Sequence, residues 1–174
     1  LEQVRAYAAQ TRTNANSILS QDPLRGNLYL AVGHFLQAGY VLLRDGTVKG
    51  TPEGMREVQT AMSYLDQAEA KAPNDPEMNL IKGYVELIMA LNIPFSSPSQ
   101  AINRLNNNAA PRYLADRGIA LGYRDLNQPT KALEAIDRAL KQAPENPELH
   151  YLKAQILVKQ GNNKDSIPLF EKAL

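Results

Sequence analysis

With 174 residues, the chain is long enough for one domain with a substantial core or for a short stack of repeats, and cramped for two unrelated domains. Apolar residues at 44% and charged residues at 21% argue against disorder along the whole length. Nineteen basic against 18 acidic side chains leave a formal charge of +1, too weak a field to favour nucleic acid or anionic lipid as a partner. The lack of cysteine excludes disulfides, thiolate nucleophiles and cysteine-bound metal centres, and suits cytoplasm and exported space alike.

In chain order, Leu1, Val4, Ala8, Ala15 and Ile18 repeat at the spacing of one helix face, which predicts a lead helix over 1–20. Asp22-Pro23 then marks a helix start, since Asp accepts orphan backbone N–H groups and Pro is tolerated in the first turn. The helix that follows carries Leu28, Leu30, Phe35, Leu36, Tyr40, Leu42 and Leu43. Its small residues Ala31, Gly33, Ala38 and Gly39 are expected to let another backbone approach closely, because an interior Gly otherwise costs about 1 kcal/mol of helix propensity. Residues 45–54 read as an elongated turn, and Met55 to Ala72 as the partner helix, closed by Pro73.

Asp75-Pro76-Glu77 opens a helix to about Leu91. Its most apolar run, Tyr84 to Leu91, contains Glu86 and falls well short of the roughly 20 residues needed to span a bilayer, so no membrane insertion is expected here. Residues 92–100, with two prolines, read as a second elongated turn, and Ser97-Pro98 starts a short helix through Leu105. Further helices are expected over Ala110 to Leu126, Pro129 to Ala143, Pro147 to Gln160 and Lys164 to Leu174. In the last, Pro168 requires a late start or a bend, because it removes a backbone donor.

The stretch from Tyr113 onward repeats itself. Ala120 returns as Ala154, Tyr123 as Leu157, Ile136 as Phe170 and Ala139 as Ala173, a period of 34. A fixed period of that length signals helix pairs that bury their apolar faces on one another. Ile119-Ala120, Tyr123, Ala132, Ile136, Ala139 and Pro144 stand at the spacing of the tetratricopeptide repeat, which the segment resembles, with Asp116 in place of the usual bulky first residue. Weaker copies begin upstream, around Gly39 with Ala61, Leu65 and Ala68, and around Gly83 with Ala101 and Leu105.

The resemblance implies an all-α fold, a right-handed α-solenoid of antiparallel helix pairs. It would form one tetratricopeptide-like superhelical domain over 1–174: a lead helix (1–20), elongated pairs (23–72 and 76–108) and regular pairs (110–143 and 147–174). It also implies that the first helix of each pair lines a concave, peptide-binding surface. The register projects Leu36 and Tyr40, then Leu80, Tyr84 and Leu87, then Arg117, Leu121 and Arg124, then Tyr151 and Lys159 onto that surface. Tyrosine can bury a ring while its hydroxyl finds a polar partner, and arginine can fork onto a carboxylate. The mixture therefore suits a peptide with apolar and acidic groups. The plainer alternative is that Tyr40 and Tyr84 pack against a neighbouring helix, and that the arginines are solvated.

Catalysis finds little support. His34 and His150 lie on separate helices and read as packed or surface residues, and neither a catalytic nor a metal-binding constellation is recognisable. Gly46 to Thr51 lacks the Gly-Lys-Ser/Thr order of a phosphate loop, and no cofactor is expected. The expected role is a non-enzymatic scaffold or adaptor binding a protein or peptide. The alternative is a self-associating assembly factor using its end surfaces, hence a homo-oligomer. A soluble domain is expected in a compartment the sequence leaves open, with cytoplasm slightly favoured. Because the chain opens at Leu1 rather than Met, an exported or membrane-anchored parent stays open.

Overall fold

The computed structural model describes residues 1–92 and 97–174, and these are helical without strands. In order they form α1 (Glu2–Ile18), α2 (Pro23–Lys71), α3 (Pro76–Asn92), α4 (Ser99–Asn107), α5 (Arg112–Asp125), α6 (Pro129–Gln142), α7 (Pro147–Lys159) and α8 (Asn163–Lys172). The fold class is thus the all-α helical repeat that the sequence predicts. The contacts fall into two compact units, Leu1–Met78 and Asn79–Leu174.

In the first unit the Asp22 carboxylate caps α2 by accepting from the Arg25 backbone N–H at 2.9 Å, with Pro23 in the first turn. The start of α2 lies antiparallel to α1. Gly26 meets Leu19 there, and Gly33 meets the Ala8 carbonyl and Arg12. The unbroken run hides a reversal at Gly46, whose φ of 71° and ψ of 171° lie in a region that disfavours other residues. The helix resumes at once, so residues 47–54, expected in an elongated turn, belong to a second arm that folds back on the first. Gly50 makes that return tight: a Cβ there would lie 2.8 Å from the Val41 carbonyl oxygen. One glycine in the left-handed region and one without a side chain thus replace a ten-residue connection.

Across the two arms His34 Nδ1 meets Glu57 at 2.7 Å while its ring stacks on Tyr64, and Arg44 reaches Glu53 at 3.3 Å. Leu28, Leu30, Ala31, Val41, Ala61, Leu65 and Ala68 form the core. Where the unit closes, Arg25 grips both oxygens of Asp75 at 2.8 Å and reaches Glu77 at 3.2 Å, and the Tyr29 hydroxyl donates to Glu77. Asp75 also accepts from the Met78 N–H. The Arg25 guanidinium, chiefly through its hydrogen bonds, holds the Asp75 carboxyl below its ordinary value.

The second unit packs neighbouring helices around Leu87, Ile102, Leu105, Ile119, Ala120, Ala132, Ile136, Ala139, Leu152 and Ile156. Gly83 admits Leu105 of α4, and Gly118 admits both Leu105 and the Tyr84 ring. The small residues at repeat spacing are scaffold: Ala120, Ala132, Ala139 and Ala154 are all fully buried. Asp116, at the place of the family's bulky residue, is 1% exposed. Arg112 donates to it at 3.1 and 3.2 Å, and Arg138 at 2.9 and 3.0 Å, which ties α5 to α6. Arg112 also donates to the carbonyls of Leu105 and Asn106. A bulky apolar anchor has been exchanged for a clasped carboxylate.

Helix α8 runs through Pro168 without a late start. Of the second expected turn, residues 93–96 lie outside the described residues, and α4 begins at Ser99 just after Pro98.

Candidate functional site

Helices α5 and α7 lie side by side and in the same sense. Arg117 pairs with Glu148 and Arg124 with Gln155, each contact joining residues 31 apart. Two neighbouring first helices therefore present one face. Residues at helical spacing on that face, Arg117, Leu121 and Arg124 from α5 with Pro147, Glu148, Tyr151, Leu152 and Gln155 from α7, line a cleft of about 490 Å³ that Ala173 borders.

Four of the ten residues expected to bind ligand, Arg117, Leu121, Arg124 and Tyr151, meet in this cleft. A fifth, Lys159, lies alongside, its ammonium donating to the Arg124 carbonyl at 2.7 Å. Tyr151 is 50% exposed and meets Phe170 of α8 edge-on, with ring centres 5.6 Å apart. All three nitrogens of Arg124 are engaged: Nε and one terminal nitrogen meet Asp125 at 2.7 and 3.1 Å, and the other terminal nitrogen donates to Gln155 at 2.7 Å. Arg117 differs. One terminal nitrogen stands 3.3 Å from Glu148, while its Nε is buried without a hydrogen-bond partner.

The other expected residues are packed. Tyr40 is 3% exposed, with Arg44 over its ring and its hydroxyl 3.4 Å from Glu2. Leu80 and Leu87 are core residues, and Leu36 is half-buried. Tyr84 donates its hydroxyl to the Leu114 carbonyl at 2.6 Å. Burial pushes its pKa up, and the adjacent Arg117 guanidinium works in the opposite direction. Tyr40 and Tyr84 thus pack against neighbouring groups, as the plainer alternative expected, and Gly118 makes room for the Tyr84 ring.

Sequence reading missed Glu148 as a cleft residue, treating it only as part of a helix start. The usable signal was its distance from Arg117, close to one repeat, which sets two first helices beside each other. Asn146 caps α7 by accepting from the Glu148 N–H, so the Glu148 side chain is free of that duty. His150 bonds the Pro144 carbonyl and His34 serves the arms of α2, so neither joins the cleft. Among the described residues no cluster of His, Cys, Asp and Glu could hold a metal ion, and no helix is long and apolar enough to cross a membrane.

Stacked helix pairs presenting a lined face of first helices define the chain as a helical-repeat module of the protein-interaction class. Residues 117–174 match the model of the tetratricopeptide repeat. Among solved structures, one of MamA AMB-1 is similar over 99% of this chain and 91% of its own, with a TM-score of 0.57 and 16% identity. A MamA mutant is similar over 99% and 92%, with the same score and identity. At that identity the likeness concerns the fold alone. No curated protein matches the sequence.

Proposed function

We propose that the chain is a non-enzymatic scaffold, one interaction domain over 1–174, that holds a peptide segment of a partner protein in the cleft between α5 and α7. The observation that carries this reading is the cleft itself, in which Leu121 and the half-exposed Tyr151 lie with the Arg117 guanidinium, whose contact with the mostly exposed Glu148 is single and 3.3 Å long. Leu121 and Tyr151 give apolar area, and Tyr can also offer its hydroxyl, the usual composition of an interface anchor.

A random-peptide library selected on the immobilised chain tests the idea. Selected peptides should bind Tyr151→Ala about thirtyfold more weakly, the effect of losing an anchor worth about 2 kcal/mol. Melting should change little, because half of the Tyr151 side chain is already exposed. Peptides that bind Tyr151→Ala and Leu121→Ala as tightly as the unaltered chain would place the site elsewhere.

A further inference from the structure

We infer that the carboxamide of Gln155 catches a backbone carbonyl of the ligand, so that the cleft takes an extended aliphatic segment rather than a helix. The inference rests on the cleft being the peptide site, and it adds how the peptide is held and in which conformation.

Two polar contacts cross from α5 to α7, Arg117 to Glu148 and Arg124 to Gln155. On α7 their ends lie two turns apart, about 10 Å, with Tyr151 between them. The second contact is the ordered one. Asp125 holds Arg124 by Nε and one terminal nitrogen, and the remaining terminal nitrogen donates to Gln155 Oε1 at 2.7 Å. A guanidinium carries donors only, so the carboxamide oxygen is the atom that must face it. The carboxamide cannot turn over without losing this bond, and its Nε2 is left on the free edge. Among the described residues Nε2 meets no acceptor, yet it is not enclosed as Arg117 Nε is.

That edge offers two N–H donors and no acceptor, which calls for an oxygen on the ligand. Leu121 and Tyr151 line the same cleft and give apolar surface to a side chain that enters between the two crossing contacts. An aliphatic residue seated there brings one oxygen of its own, its backbone carbonyl. In a helix that carbonyl already accepts from the N–H four residues on, whereas in a lone extended segment it is open to a side-chain donor. Lys159 does not compete for it, because its ammonium donates to the Arg124 carbonyl.

Nuclear magnetic resonance titration of the nitrogen-labelled chain with N-acetyl-Ala-Leu-Ala-amide tests this. The Leu121 and Tyr151 amides and both Gln155 Nε2–H resonances should shift along one binding curve. Gln155→Glu keeps an acceptor for Arg124 but sets a carboxylate oxygen against the carbonyl. It should weaken the tripeptide about tenfold, the upper end for one uncharged hydrogen bond, with melting unchanged. Gln160→Glu, the same change at an exposed residue outside the cleft lining, should leave the affinity as it was. Equal binding by Gln155→Glu and the unaltered chain would overturn the carbonyl catch and leave the peptide cleft standing. So would Gln155 Nε2–H resonances that stay still while Leu121 and Tyr151 shift. Tighter binding of a helix-locked probe, with 2-aminoisobutyrate on both sides of the leucine, would overturn the extended conformation. Silence of Leu121, Tyr151 and Gln155 toward both probes would remove the peptide cleft itself.

Discussion

Replacing Asp116 by Ala takes away the acceptor that two guanidiniums share across α5 and α6. Removing one partner from a buried ion pair typically costs about 3–5 kcal/mol, because the remaining charge is stranded. Here the carboxylate is 1% exposed, but the Arg112 and Arg138 side chains are 34% and 46% exposed and can be rehydrated in part. Arg112 also keeps the carbonyls of Leu105 and Asn106. The expected loss is therefore about 2–3 kcal/mol, which corresponds to a fall on the order of 10 °C in melting temperature for a unit of this size. Urea unfolding followed by circular dichroism reads the loss as a shift in midpoint at constant slope. Restoring a bulky apolar residue should behave differently. Asp116→Leu combined with Arg138→Met removes the stranded charge, leaves Arg112 its two carbonyls, and should return to within about 1 kcal/mol of the unaltered chain. A loss below about 0.5 kcal/mol for Asp116→Ala, or a double variant no better than the single one, would refute the account of the clasp.

Two glycines on the same helix should respond oppositely to Ala. At Gly33 a Cβ would stand 3.1 Å from the Ala8 carbonyl oxygen and 3.2 Å from the Arg12 nitrogen, so backbone must move and about 1–3 kcal/mol is lost. At Gly39 it meets nothing within 4 Å and should add up to about 1 kcal/mol of helix propensity. Thermal melts of the two variants check this, and a shift in the same direction for both would contradict it. For Asp75, a carboxyl held below its ordinary 3.8 contributes stability that is present above that value and lost as pH falls through the lower folded value. The lead of the unaltered chain over Asp75→Asn should be full at about pH 6 and close below about pH 4. A midpoint difference that persists unchanged at about pH 2 would show that the ion pair is not its source.

Within the candidate site, the arginines and Tyr151 were legible from repeat register because α5 and α7 follow the family's period, which sets their first-helix faces side by side. The same projection put Tyr40 and Tyr84 on the groove face, while in the fold their rings pack against neighbouring groups. A register says which way a side chain faces along its helix, but not how close the neighbour comes. Gly118, with no side chain of its own, admits the Tyr84 ring, and the start of α1 brings Glu2 to the Tyr40 hydroxyl. Glu148 was missed as a cleft residue because its place there depends on a partner 31 residues away, a spacing close to one repeat.

The sequence by itself determined the helices, their caps at Asp22 and Asn146, and the pairwise repeat, because propensity, capping and apolar period act within a turn or two of the chain. Gly46 marked a reversal, yet the chain pattern could not say that a single residue suffices for it. That depended on Gly50 letting the arms touch. Only the tertiary structure decided which tyrosines pack inward and which acceptors each guanidinium meets. Burial and hydrogen-bond satisfaction are sums over neighbours that the chain brings together from a distance.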